Sequence, residues 1–227
     1  MTTFTTEDRI LAEKDGSLTV NIEQRSNEWH QMRLGKVTAS RVADILAKTK
    51  AGASASRQNY LIELALQRTT GVIQESYSNS AMEWGVEQEQ FAAIAYEVAK
   101  ETFVEKTGFW PHETIKWLGV SPDRLVGADG LVEIKCPNTQ THLEYVESRK
   151  PPMKYLQQMQ FQMACTGRQW CDFVSFDPRA PEGLQLFVKR VKRDDAYILE
   201  LEAEVKKFLE EMETRIEKLN KLKGNHG

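Results

Sequence analysis

The stretch VSPDRLVGADGLVEIKCP, residues 120–137, constrains this 227-residue chain more than any other. Two short runs rich in Val, Leu and Ile flank the turn Gly127-Ala128-Asp129-Gly130, which is the pattern of a β-hairpin. The period of two in LVEIKCP sets Glu133 and Lys135 on one strand face and Val132 and Ile134 on the other. Antiparallel pairing across the turn brings Asp123 within a residue of Glu133. Two carboxylates and one ammonium therefore converge on a surface whose neighbours are apolar. Such charges must be paired or must hold a cation, since a buried excess of negative charge is costly.

Around this hairpin the periodicity predicts an α/β fold. Ser26 or Asn27 caps a short helix carrying Trp29, Met32 and Arg33, a turn follows at Gly35, and TASRVADILA reads as a second helix. Gly52 to Ser56 reads as a loop, Gln58 to Thr69 as a helix, and GVIQESYSNS as a second irregular stretch. From Ala81 to Lys100 a helix is expected, with Trp84, Glu87, Phe91, Ile94, Ala95 and Val98 on one apolar face. Glu89 falls on nearly the opposite side, beside Gly85, Ala92 and Tyr96. TFVEKTGFW, TIKWLGVSP, DRLVGADG and LVEIKCP read as a strand meander. THLEYVES and PPMKYLQQMQFQMACTG read as helices, DFVSFDP and GLQLFVKRVK as strands, and Asp194 to Lys223 as a long terminal helix. The expected architecture is a single domain over residues 1–227, a central mixed β-sheet flanked by helices with a long C-terminal helix.

Composition narrows the function. A formal charge of −3 and a pI near 5.9 argue against a protein that coats nucleic acid through a general positive field, so any contact with polyanions must be local. Three cysteines without a C-x-x-C pair, and four histidines (His30, His112, His142, His226) without ligand spacing, argue against structural zinc, iron–sulfur clusters and a disulfide framework. No apolar run approaches the ~20 residues of a membrane span, and the N-terminus does not read as a secretion signal, so a cytoplasmic location is expected. The oxygen ligands at Asp123 and Glu133 suit Mg²⁺, with Mn²⁺ as the alternative. Phosphodiester hydrolysis needs what such a set supplies.

The pattern resembles the Pro-Asp, then Glu-x-Lys motif of the restriction-endonuclease-like nucleases. WHQMRLGKVTAS, AMEWGVEQE, VSPDRLV, LVEIKCP, YLQQMQFQM and FDPR occur in the order and spacing of the phage lambda exonuclease and alkaline exonuclease family. The resemblance implies that Asp123, Glu133 and the Ile134 carbonyl hold metal, about two ions per active site, and that Lys135 positions or deprotonates water. It places the upstream acid at Glu89, acting directly or through water, where periodicity alone puts Glu87 in the apolar stripe. Gln158 would line the site, with Gln157 beside it as the other register. Arg33, Ser40 and Ser121 match a pocket for a 5′-terminal phosphate. Met82 matches an apolar wedge that splits the terminal base pair; an ordinary core methionine is the other reading. The implied activity is metal-dependent 5′-to-3′ degradation of one strand of duplex DNA, leaving 3′ overhangs for phage-type recombination. A homotrimeric ring and a single-strand annealing partner are implied with it. An endonuclease on the same fold and an inactive DNA-binding relic are the competing readings. In the terminal helix, Leu201, Val205, Phe208, Met212, Ile216 and Leu219 form an apolar stripe that reads as packing on its own domain, with an oligomer interface left open.

Overall fold

The computed structural model describes residues 11–14, 17–20, 22–50, 52–73 and 79–224. The chain divides into two compact units, one from residues 1–74, 108–121 and 195–227, the other from 75–107 and 122–194. Strands and helices alternate in both, as a mixed α/β chain requires. His226 and part of GVIQESYSNS lie outside the described residues.

In the first unit, β1 (Leu11–Lys14) and β2 (Ser17–Val20) form an antiparallel hairpin. Helix α1 (Asn27–Arg33) follows; its first turn is closed by Ser26, whose hydroxyl accepts from Trp29 N at 3.2 Å. The expected helix TASRVADILA is instead split. Val37–Thr38 form β3, a 3₁₀ turn covers Ala39–Arg41, and α2 is confined to Val42–Leu46. The reason is a distant partner: β3 pairs in parallel with β7 (Leu118–Val120), Val37 opposite Leu118 and Thr38 opposite Gly119. β7 also pairs antiparallel with β6 (Trp110–Pro111). The small hairpin β4 (Lys48–Thr49) and β5 (Gly52–Ala53) takes part of the expected loop. Ser54 caps α3 (Ala55–Thr70), which therefore begins before Gln58.

The terminal helix α7 (Asp195–Gly224) packs Leu201, Val205, Phe208 and Met212 into this unit, with Phe208 stacked on Tyr60 at 5.7 Å. The apolar stripe thus covers its own domain, and only Ile216 and Leu219 are half-buried.

One close approach fixes the β6–β7 pair. A Cβ on Gly119 would meet the buried Phe109 ring at 2.1 Å. Gly119→Ala is expected to lower stability by about 3 kcal/mol, read as a fall in the urea midpoint.

The second unit carries a four-stranded sheet in the order β11-β10-β9-β8: β8 (Arg124–Val126), β9 (Gly130–Lys135), β10 (Trp170–Phe176) and β11 (Leu186–Lys192). β9 and β10 run parallel, and the other pairs are antiparallel. The expected meander is therefore divided, with β6 and β7 in one sheet and β8 and β9 in the other. TFVEKTGFW contributes bridges at Glu105 and Phe109 and the start of β6.

Helix α4 (Ser80–Lys100), capped by the Asn79 side chain, covers one face of the four-stranded sheet through Ala92, Ala93 and Tyr96, against Val126, Val132, Ile134 and Val174. The face expected from periodicity is met only in part: Trp84 and Ala95 pack against this cluster, whereas Phe91, Ile94 and Val98 are 49%, 57% and 75% exposed. Small residues allow a helix to lie close on a sheet, and that closeness outweighs side-chain hydrophobicity in choosing the face. Helices α5 (Thr139–Ser148) and α6 (Met153–Thr166) stand on the other side, where Met159 and Met163 pack on Leu131, Cys171 and Phe173.

Candidate active site

The period of two holds along β9. Val132 and Ile134 enter the core under α4, while Leu131 packs beneath α6. Glu133, on the α6 side, is 1% exposed. Its Oε1 accepts from Gln158 Nε2 at 2.6 Å, its Oε2 from Gln162 Nε2 at 2.6 Å, and Lys135 Nζ pairs with Oε1. Burying a carboxylate this deep is costly unless donors of this kind surround it. Gln158 is the buried glutamine of the two candidates and is the one that reaches the acid. Gln162 was not expected; its spacing of one helical turn from Gln158 on the apolar face of α6 was the available signal.

β8 pairs with β9 so that Arg124 faces Val132, which sets Asp123, one residue earlier, beside the end of β9. Asp123 Oδ2 accepts from Ile134 N–H at 2.7 Å. In an extended residue the N–H and C=O share an edge, so the Ile134 carbonyl also faces the Asp123 side. Burial, then the neighbouring Glu133 and Glu89 carboxylates, push the Asp123 carboxyl well above the usual carboxylate range, against the pull of Lys135. Burial alone would lower Lys135, but Glu133 and Asp123 outweigh it and hold the ammonium above its ordinary value. Lys135 is thus a cation in this setting.

Glu89 lies on the buried side of α4 and accepts from Arg124 Nη1 at 2.8 Å; the same nitrogen donates to the Asp123 carbonyl at 2.6 Å. Arg124 therefore ties the helix acid to the strand that carries Asp123. Glu87 is exposed. Met82, at 52% exposure near the start of α4, is not a core residue.

The chemistry of the donor set suits a divalent cation, which would relieve the charge excess that now raises Asp123. Among the described residues no three His, Cys, Asp or Glu side chains converge as a ready-made metal cage. The residues that would hold an ion are Asp123, Glu133 and the Ile134 carbonyl, and Mg²⁺ suits such a sparse set because it keeps several waters. Two histidines are engaged elsewhere: His142 is fully buried between Ser175 and the Leu184 carbonyl, and His112 pairs with Glu202. All three cysteines are free, Cys136 and Cys171 buried and Cys165 half-buried.

A second constellation belongs to the first unit. Arg33 lies over the Trp29 ring, 4.1 Å from its centroid, and among the described residues has no hydrogen-bond or carboxylate partner. Burial lowers its pKa to about 10. The Trp29 N–H donates to Ser121 Oγ at 2.9 Å. Ser40 and Ser121 each stand two residues beyond the paired Thr38 and Gly119 of parallel strands, and Ser40 Oγ lies 3.4 Å from Thr38 Oγ1.

Two acids and a lysine on a mixed sheet covered by helices define the class of restriction-endonuclease-like nucleases. Residues 28–169 match the model of the YqaJ-like viral recombinase domain. The chain superimposes on the alkaline exonuclease LHK-Exo from Laribacter hongkongensis with a TM-score of 0.82 and 51% identity, covering 89% of this chain and 100% of that one. For LHK-Exo in complex with dAMP the TM-score is 0.83 at 50% identity, with the same coverage. A phage-related exonuclease from Haemophilus somnus 129PT shares the fold at 17% identity and a TM-score of 0.64, over 82% of this chain and 95% of that one. Comparison with curated protein sequences finds no match. The chain belongs to the YqaJ-like viral recombinase family, on the lambda-exonuclease side of the nuclease superfamily, and is an exonuclease.

Proposed function

We propose that the protein degrades the 5′-ended strand of linear double-stranded DNA in a divalent-metal-dependent reaction and leaves 3′ single-stranded overhangs. The observation that carries this reading is the crowding of the Asp123 and Glu133 carboxylates around Lys135. When bound at these acids, Mg²⁺, two ions in the full reading and Mn²⁺ as substitute, would supply a water of lowered pKa and offset charge on the leaving oxygen. Gln158 and Gln162 hold the Glu133 carboxylate in one rotamer, and Arg124 holds Glu89 toward Asp123. Lys135, kept protonated by its acid neighbours, orients the attacking water and meets charge developing on the phosphate. The dAMP bound to LHK-Exo suits a mononucleotide product.

Polarity rests on Arg33. A half-buried guanidinium that has no carboxylate partner among the described residues is a ready anion site, and a terminal phosphate carries more charge than an internal diester. With Ser40 and Ser121 it would receive the 5′ phosphate exposed after each cut. The exposed Met82 suits a wedge at the terminal base pair. A homotrimer around the duplex, a single-strand annealing partner, a cytoplasmic setting and one nuclease domain over the whole chain complete the proposal. Among the described residues no helix is long and apolar enough to cross a membrane.

A covalently closed plasmid is the discriminating substrate. It should survive under conditions that consume the same plasmid once linearised; cutting of the closed form would establish the endonuclease reading instead. Glu89→Gln should slow digestion of the linear form by about tenfold or more while the protein stays folded, because it discharges the carboxylate that Arg124 aims at the Asp123 strand. Glu87→Gln, on the exposed side, should leave the rate within about twofold of wild type.

A further inference from the structure

One side chain makes both contacts that fix the candidate phosphate site, and it consumes no donor of either group. Trp29 donates its indole N–H to Ser121 Oγ at 2.9 Å, while the Arg33 guanidinium carbon lies over its ring, 4.1 Å from the centroid. An indole nitrogen only donates, so Ser121 is cast as acceptor toward Trp29 and keeps its own O–H for another partner. A hydroxyl without such a contact rotates freely. Stacking on a ring face likewise leaves the in-plane N–H edge of a guanidinium uncommitted. Both groups are thus immobilised as donors, which is what an anion requires.

Core packing does not account for a tryptophan here, because α1 has no buried residue. The spacing of four sets Trp29 and Arg33 on one helix face. The Ser26 cap fixes the turn that carries the indole, since Ser26 Oγ accepts from the Trp29 backbone N–H.

We propose that Trp29 is a positioning residue that sets preference for a phosphate monoester at the DNA end, by turning the Ser121 hydroxyl and the Arg33 fork toward it. This rests on the 5′-phosphate reading above. The two contacts can be removed separately: Trp29→Phe keeps a ring under Arg33 but has no N–H for Ser121, and Trp29→Ala loses both.

The test is kcat/KM of the full-length protein on linear duplexes with 5′-phosphate or 5′-hydroxyl ends, expressed as a ratio. Wild type should favour phosphate. Trp29→Phe should lower the ratio about fivefold, the scale of one hydrogen bond, and Trp29→Ala about tenfold or more. Unfolding midpoints should move no more than for an ordinary surface substitution. In a Ser121→Ala background, Trp29→Phe should change the ratio no further, because its effect runs through that hydroxyl. If Arg33→Ala and Ser121→Ala erase the ratio while both Trp29 variants keep it, the phosphate pocket stands and the role of Trp29 is overturned. Full additivity of Trp29→Phe with Ser121→Ala also overturns it. A wild-type ratio of one removes the pocket and this inference together.

Discussion

Asp123→Asn is expected to lower cleavage of linear duplex DNA by about a thousandfold or more, with no loss of stability. The amide oxygen can still accept the Ile134 N–H that Asp123 now takes at 2.7 Å, so the junction of β8 and β9 should survive. What disappears is one of the two negative charges that would hold a divalent ion. A thousandfold corresponds to about 4 kcal/mol of transition-state stabilisation, within the range attributed to bound metal. Because Asp123 is crowded by Glu133 and Glu89, removal of its charge relieves repulsion in the metal-free protein. Its unfolding midpoint in chelator should equal or exceed that of wild type, and added Mg²⁺ should no longer raise it. Rates and melting curves on the same preparation check both halves.

Lys135→Ala should behave differently although it belongs to the same cluster. Cleavage should fall by about two to three orders of magnitude, since the cation facing the developing charge is gone. Glu133 keeps both amide donors but loses its only ion-pair partner among the described residues, and it is 1% exposed. Breaking a buried pair on one side strands the other charge, at a cost of about 2–3 kcal/mol for a lysine that is itself partly in water. That loss should appear in chelator and be largely recovered in Mg²⁺, because the two carboxylates that would bind the ion remain. Asp123→Asn should thus be stable and unresponsive to metal, and Lys135→Ala unstable and rescued by it.

The part of this site legible in the sequence is the part governed by strand geometry. A period of two needs no knowledge of neighbours, so the common face of Glu133 and Lys135 and the approach of Asp123 followed from eighteen consecutive residues. Helix α4 shows where that reasoning stops. Its apolar stripe of Phe91, Ile94 and Val98 is exposed, and the sheet chose Ala92, Ala93 and Tyr96, so Glu89 and not Glu87 faces inward. Hydrophobic periodicity ranks faces by side chain, whereas the sheet selects by how closely the helix backbone can approach.

TASRVADILA is helical from Ala39 to Leu46, but it starts as a 3₁₀ turn and loses Thr38 to a strand for a related reason. Thr38, together with Val37 just before the segment, is claimed by β7, some 80 residues away, a partner no local window contains. Gln162 and Arg124 were missed because each acts on another residue's charge, a role that spacing alone does not announce. Resemblance to a nuclease family supplied the candidate phosphate-site residues, and the position of Arg33 over the Trp29 ring gave them a physical context.

The most direct test of the account follows each strand of a linear duplex in Mg²⁺ when one 5′ end carries phosphate and the other hydroxyl. The phosphorylated strand should shorten from its 5′ end while its complement persists as a 3′ overhang, and chelator should stop the reaction. Shortening from 3′ ends, equal loss of both strands, or undiminished digestion in chelator would contradict it.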